Sequence, residues 1–218
     1  MAARSSDDDL PRCAVVVPIR SFTRAKGRLA GALDIDARRA LVHDLAARAL
    51  DAAAGHAVVV VTSDPEVAEF AEHRSVAAIA DPGSLDRAAA AGREWARTHD
   101  CERVAILHAD LPFVTDVDAL VAPGRGAVAI LVPDHRGDGT PALSVPVDAP
   151  FVFAYGPGSF ARHRAHAAAA GLEARVVHDA ALGFDIDLPS DLAAFQRDVV
   201  DRTATATNPL AQERGPRP

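Results

Sequence analysis

The sequence predicts an α/β fold built on a mostly parallel sheet with helices on both faces. Three observations carry that prediction. Near-continuous apolar runs at 13–19, 56–61, 104–107 and 127–132 read as strands buried on both faces rather than on one. Stretches rich in Ala, Leu and Arg, with apolar residues recurring at helical spacing, lie between the early runs. The two kinds of segment alternate, as βα crossovers require. The 218 residues are 49% hydrophobic and 24% charged, which suits one such domain. Aromatics are only 5%, so Val, Leu, Ile and Ala must build the core.

Each element follows in order. Residues 1–11 are polar and acidic and read as a flexible lead-in; the domain is expected over 12–202. Strand one, 13–19, opens into a loop with four cations, Arg20, Arg24, Lys26 and Arg28, around Gly27. A helix is expected over 35–54, where Leu41, Leu45 and Ala49 share a face. The second strand, 56–61, ends in Thr62-Ser63-Asp64-Pro65, which caps a helix through about 72. A short strand at 76–80 leads through Asp81-Pro82-Gly83-Ser84 to an Ala-rich helix ending near 98. The strand at 104–107 stops at Asp110, a helix is expected from about 115, and another strand at 127–132.

The alternation then breaks. The loop 133–140 is polar and carries Gly137 and Gly139, and two short extended pieces, 142–145 and 151–154, read as a small β excursion around 141–155. Tyr155-Gly156-Pro157-Gly158-Ser159 opens a helix to about 170. A strand at 173–177 and a last helix starting after Asp185-Ile186-Asp187-Leu188-Pro189 complete the domain. The tail 203–218, with Pro, Gly and Arg and no apolar period, is expected to be loosely ordered.

Composition excludes several classes of function. A net charge of -7 argues against a nucleic-acid surface, which needs a basic patch. No run approaches the roughly 18 apolar residues of a membrane helix. The start of the chain is unlike a signal peptide, so a cytoplasmic location is expected. Cys13 and Cys101 have no CxxC spacing and read as core residues, implying neither disulfide nor zinc.

Three places could hold a ligand. Asp110, just past a buried strand, is either a ligand for a hard cation or a helix cap. The basic loop 20–29 suits nucleotide phosphates or is a solvated loop, and no GxxxxGK[ST] or GxGxxG pattern accompanies it. The Gly-rich turn before Ser159 offers helix N-terminal amides to an anion, or is a plain serine cap.

Five segments in order, VVPIRSFTRAKGRL (15–29 in outline), HADLP (108–112), VPDHRGDGT (132–140), YGPGSFARH (155–163) and DIDLPSDL (185–192), resemble the 2-phospho-L-lactate or phosphoenolpyruvate guanylyltransferases of coenzyme F420 biosynthesis. The resemblance implies a Rossmann-like, three-layer nucleotidyltransferase fold of the glycosyltransferase-A type. It implies GMP transfer from GTP to a phosphorylated three-carbon acid, with pyrophosphate leaving, and a labile product taken up by a downstream F420-forming transferase. Carried over by position, Asp110 and Asp185 would hold Mg²⁺. Lys26 and Arg28 would neutralise the GTP phosphates and, with Asp110, serve catalysis. Thr140, Gly156 and Ser159 would bind the acid.

Three positions depart from the pattern: His108, read as a spectator; Pro141, where many relatives carry asparagine; and Asp86, where asparagine is frequent. The alternatives are another nucleotidyltransferase of this fold, acting on a sugar phosphate or the molybdenum cofactor, and a non-catalytic nucleotide-binding partner. The first lacks its usual GxSxRMG-like loop here, and the second would have lost a metal carboxylate or the loop lysine. A homodimer is compatible with the sequence. The identity of the acid and the residues that read guanine are not legible in it.

Overall fold

The computed structural model describes residues 12–121 and 126–207. The expected lead-in at 1–11 and the tail beyond 207 lie outside the described residues. In chain order the elements are β1 (Cys13–Pro18), α1 (Ile35–Ala52), β2 (Ala57–Thr62), α2 (Pro65–His73), β3 (Ala77–Ala80), α3 (Leu85–Thr98), β4 (Arg103–Leu107), α4 (Asp118–Val121), β5 (Val128–Val132), β6 (Ala142–Pro146), α5 (Ser159–Ala169), β7 (Glu173–Val176), α6 (Ala180–Gly183) and α7 (Pro189–Thr207). A single 3-10 turn, Gly27–Leu29, follows the basic loop.

The seven strands form one sheet in the order β3-β2-β1-β4-β6-β5-β7. Apolar residues alternate between its faces. Val15 and Val17 point to one side, toward α1 and α2, while Ala14 and Val16 point to the other, toward α3 and α5. The result is the three-layer α/β arrangement that the alternating runs predict. Asp34, Asp64 and Ser84 cap α1, α2 and α3 by accepting from the N–H groups of Ala37, Glu66 and Arg87. Each such cap contributes about 1 kcal/mol. Gly92 lets α3 lie directly on β1, because a Cβ there would fall 2.3 Å from Val16 Cγ1.

The stretch 141–155 differs from a peripheral excursion. Its first piece, β6, sits in the middle of the sheet and runs antiparallel to both neighbours, with Leu143 opposite Ile106 and Leu131. The second piece, 151–154, has no strand partner; Phe151 and Phe153 are instead buried in the α3/α5 face. An apolar run has the same composition whether it enters a sheet parallel or antiparallel, so pattern alone does not place it. Arg103 locks the insertion. Its buried guanidinium donates to Ser144 Oγ, Ser144 O and Val128 O, tying β4, β6 and β5 together.

Two helix limits also move. The helix expected from 115 begins at Asp118, after Val114 and Val117 have gone into the core. The last helix continues to Thr207, past the expected domain limit at 202. Both cysteines are free and buried, and burial pushes the Cys13 thiol up to about 12, which leaves it inert.

Candidate active site

A cleft of about 750 Å³ opens beyond the carboxyl ends of the adjacent parallel strands β1 and β4, where ligands of α/β sheets bind. Lys26, Arg28, Asp110, Thr140, Gly156, Ser159 and Asp185 all line it. So do the three departing positions, Asp86, His108 and Pro141.

One wall is acidic. Asp110 follows β4 by three residues. Asp185 and Asp187 come from the stretch between α6 and α7, where an apolar residue separates two aspartates. Ile186 is fully buried with Leu29, Leu45 and Leu192, while the aspartates on either side of it face the cleft. The same small cluster seats the turn after Lys26, so one patch of core holds both segments. One carboxylate oxygen from each of Asp110, Asp185 and Asp187 lies within 4.8 Å of the other two. Asp110 and Asp185 are the two carboxylates expected from the sequence; Asp187 is a third. Its signal was the Asp-Ile-Asp spacing, since residues two apart on extended backbone share a side.

Lys26 reaches into this wall. Nζ donates to Asp110 Oδ2 at 2.6 Å and to Asp187 Oδ1 at 2.7 Å. Its backbone is left-handed, φ 56° and ψ 38°, which a non-glycine residue holds only where the surroundings fix it. Burial works against the charged ammonium, but the two carboxylates outweigh it and raise the Lys26 pKa. Burial likewise works against the Asp110 carboxylate, but the Lys26 charge prevails and holds Asp110 below its ordinary value. Asp185 goes the other way, up to about 6, through burial and the charges of Asp110 and Asp187.

Thr140, Gly156 and Ser159 line the other side of the cleft. The amides expected to serve at the start of α5 are already engaged: Ser159 N–H donates to Gly156 O, Phe160 N–H to Asp138 O, and Gly158 N–H to Asp138 Oδ2. Gly158, at φ 71°, is the cap, and Ser159 is the first helical residue. Thr140 and Ser159 line the cleft beside these amides, their hydroxyls 3.4 Å apart. Gly156, at φ 98°, holds the turn in a conformation that favours glycine. Arg162 fixes that turn by donating to the carbonyls of Ala154, Tyr155, Gly156 and Pro157.

Clustered carboxylates joined by a lysine on one wall of a strand-end cleft, with two hydroxyl residues and a glycine turn also lining it, are compatible with nucleotidyl transfer. Residues 13–199 match the family model described as guanylyl transferase CofC like. The chain belongs to this family.

The phosphoenolpyruvate guanylyltransferase of Sphaerobacter thermophilus is 42% identical over 192 residues, covering 81% of this chain and 89% of that one. The 3-phospho-D-glycerate guanylyltransferase of Phenylobacterium zucineum is 32% identical over 196 residues, covering 84% and 88%. Among solved structures, a nucleotide-diphospho-sugar transferase of Desulfovibrio desulfuricans superposes with a TM-score of 0.66 at 15% identity, covering 93% of this chain and 90% of that one. A cytidylyltransferase of Leptospira borgpetersenii does so at 0.56 and 13%, covering 95% and 100%. These structures share the nucleotidyltransferase fold, and the chain is an enzyme of that class.

Within this guanylyltransferase fold the carboxylates suit a divalent cation. Asp110 Oδ1 and Asp185 Oδ1 are buried and accept no hydrogen bond. The groups nearest the latter are His135 Nδ1 at 3.4 Å and Arg136 Nη1 at 3.7 Å. Oxygen ligands of this hardness fit Mg²⁺. Behind them, Asp191 accepts from the N–H groups of Asp187 and Leu188 and from Arg136 Nη2, fixing the Asp187 backbone. Arg28 is exposed on the cleft rim. Asp86 accepts from Tyr155 N–H at 2.6 Å, so it braces the turn that leads into α5. His108 turns an unpartnered buried Nε2 to its surroundings, and burial lowers its pKa. Among the described residues no helix is long and apolar enough to cross a membrane.

Proposed function

We propose that this chain transfers the guanylyl group of GTP to the phosphate of a three-carbon phospho-acid, with Mg²⁺ as cofactor and phosphoenolpyruvate as the first candidate acceptor. The observation that carries this reading is the facing of two walls in one cleft. Three carboxylates with Lys26 stand on one side, and the Thr140 and Ser159 hydroxyls on the other. The names of the relatives supply guanine and the acid.

An oxygen of the acceptor phosphate attacks the α-phosphorus of GTP, the bond from that phosphorus to the bridging oxygen breaks, and pyrophosphate leaves. The attacking oxygen is already anionic near neutral pH, so no general base is required. When bound, Mg²⁺ neutralises charge on the phosphates as it redistributes. Asp110, Asp185 and Asp187 would hold that ion. Lys26 and Arg28 bring positive charge to the triphosphate, and Thr140, Gly156 and Ser159 position the acid. Catalysis is then positioning and electrostatics, with no covalent enzyme intermediate. The product, a diphosphate joining guanosine to the three-carbon acid through the acid's own phosphate, with its carboxylate free, suits direct uptake by a downstream transferase of coenzyme F420 assembly.

Purified protein would be incubated with GTP, Mg²⁺ and, separately, phosphoenolpyruvate, 2-phospho-L-lactate and 3-phosphoglycerate, following pyrophosphate release and trapping product with an F420-forming transferase. Release that depends on both GTP and an acid supports the reading. Release with another nucleotide, or with a sugar phosphate alone, would replace it.

A further inference from the structure

His163 is fully buried on α5, behind the cleft rather than lining it. Its hydrogen bonds have a direction that can be read without seeing a proton. Ala154 N–H lies 2.9 Å from His163 Nε2, and a backbone amide can only donate. Nε2 therefore carries no proton, and the neutral ring holds its proton on Nδ1. Nδ1 is 3.0 Å from Thr140 Oγ1, so this N–H donates to the threonine hydroxyl. The Thr140 proton must then point away from the ring, to Ser159 Oγ or into the cleft.

We propose that His163 is a positioning residue that fixes Thr140 as a hydrogen-bond donor toward the acid, and so sets affinity for the acid and not for GTP. An anion at near-neutral pH offers acceptors only. A freely turning hydroxyl would present its lone pairs as readily as its proton; a hydroxyl whose oxygen is filled from behind presents the proton. The ring is kept in register by Tyr155, edge-on at 4.8 Å, and by Phe151 at 5.7 Å. Burial holds the ring near a pKa of about 4, so it stays in the neutral form this chain of donors needs. The inference rests on the acid docking at Thr140 and Ser159.

Two substitutions separate the two ring nitrogens. His163→Asn keeps a donor near the Nδ1 position and loses the acceptor for Ala154. His163→Gln keeps an acceptor near Nε2 and loses the donor to Thr140. Steady-state kinetics with GTP and phosphoenolpyruvate should show His163→Gln raising KM for the acid roughly threefold, since the acid must then order a hydroxyl that turns among about three staggered positions. KM for GTP should hold, and His163→Asn should stay near wild type. Thr140→Val should raise KM for the acid further, about tenfold or more, as expected for a lost hydrogen bond to a charged group, and make a further His163→Gln change silent. A rise with Thr140→Val but none with His163→Gln overturns the role of His163 alone. Equal losses in His163→Asn and His163→Gln, extending to GTP, make it merely structural and overturn the role too. No rise with Thr140→Val or Ser159→Ala overturns the docking reading itself. Wild-type protein labelled with ¹⁵N-histidine gives a check that needs no folded variant, the His163 signal being predicted as the Nδ1–H tautomer and contradicted by Nε2–H.

Discussion

Lys26 and Asp187 stand 161 residues apart in the chain and 2.7 Å apart in the fold. The same ammonium donates to Asp110 at 2.6 Å, so one lysine from the first loop joins the strand-end aspartate to the last aspartate before α7. The acidic wall is therefore already partly neutralised by the protein itself. Lys26 holds these carboxylates together, and in the proposed reaction it also offers charge to the triphosphate.

Lys26→Met should uncover both. Without the ammonium, three carboxylates within 4.8 Å repel one another. Thermal melts should show a lower Tm than wild type in the presence of chelator and a larger rise on adding Mg²⁺. Turnover should fall about a hundredfold, the scale of a lost electrostatic contact in a transition state. Lys26→Arg should not restore it, since a planar fork does not replace a point charge between two oxygens.

Asp110→Asn, Asp185→Asn and Asp187→Asn should each cut turnover by about a hundredfold or more, with far-UV circular dichroism unchanged. The Asp187 variant discriminates best: a wild-type rate there would return the site to the two carboxylates foreseen from sequence.

Asp191→Asn should weaken the site without abolishing it. Its carboxylate accepts from Asp187 N–H, Leu188 N–H and Arg136, and an amide cannot serve all three. Positions that orient ligands in this way cost about ten- to a hundredfold when changed. Titrating Mg²⁺ against initial rate should give a raised half-saturation concentration.

Much of this was legible in the chain. Apolar and extended runs marked the place of each strand of the sheet, though 151–154 forms none, and Asp110, Asp185, Lys26, Thr140, Gly156 and Ser159 all line one cleft. What was hidden had physical causes. β6 is as apolar as a parallel strand, so its reversal between β4 and β5 leaves no mark in composition. The amides before Ser159 looked open to an anion because Asp138, twenty residues earlier, occupies one of them from another loop. His163 looked like any helix residue, since its partners Thr140 and Ala154 meet it only in the fold.

Gly92→Ala tests the packing. A methyl there would sit 2.3 Å from Val16 Cγ1, between α3 and the strand that leads into the site. Overpacking of this kind costs about 1–3 kcal/mol, so the urea midpoint should fall while KM for GTP holds in protein that remains folded.

Stability should fall with pH through His163. Burial sets its pKa at about 4, against about 6.5 in an unfolded chain. Between those values the unfolded state binds a proton that the folded state does not, so stability is lost as pH falls, by about 2 kcal/mol at about pH 5. Asp185 acts oppositely: raised to about 6, it takes up its proton in the folded state first and favours folding as pH falls through that value. The difference between wild type and His163→Asn isolates the histidine. Urea midpoints near pH 7 and pH 5 should drop more in wild type than in the variant.

The most direct measurement of guanylyl transfer at this cleft is a ³¹P NMR spectrum of the protein with GTP, phosphoenolpyruvate and Mg²⁺. The account predicts a new pair of coupled diphosphate resonances growing in step with pyrophosphate, absent with Asp187→Asn. GDP with inorganic phosphate, or no new phosphorus signal with any of the three acids, would contradict it.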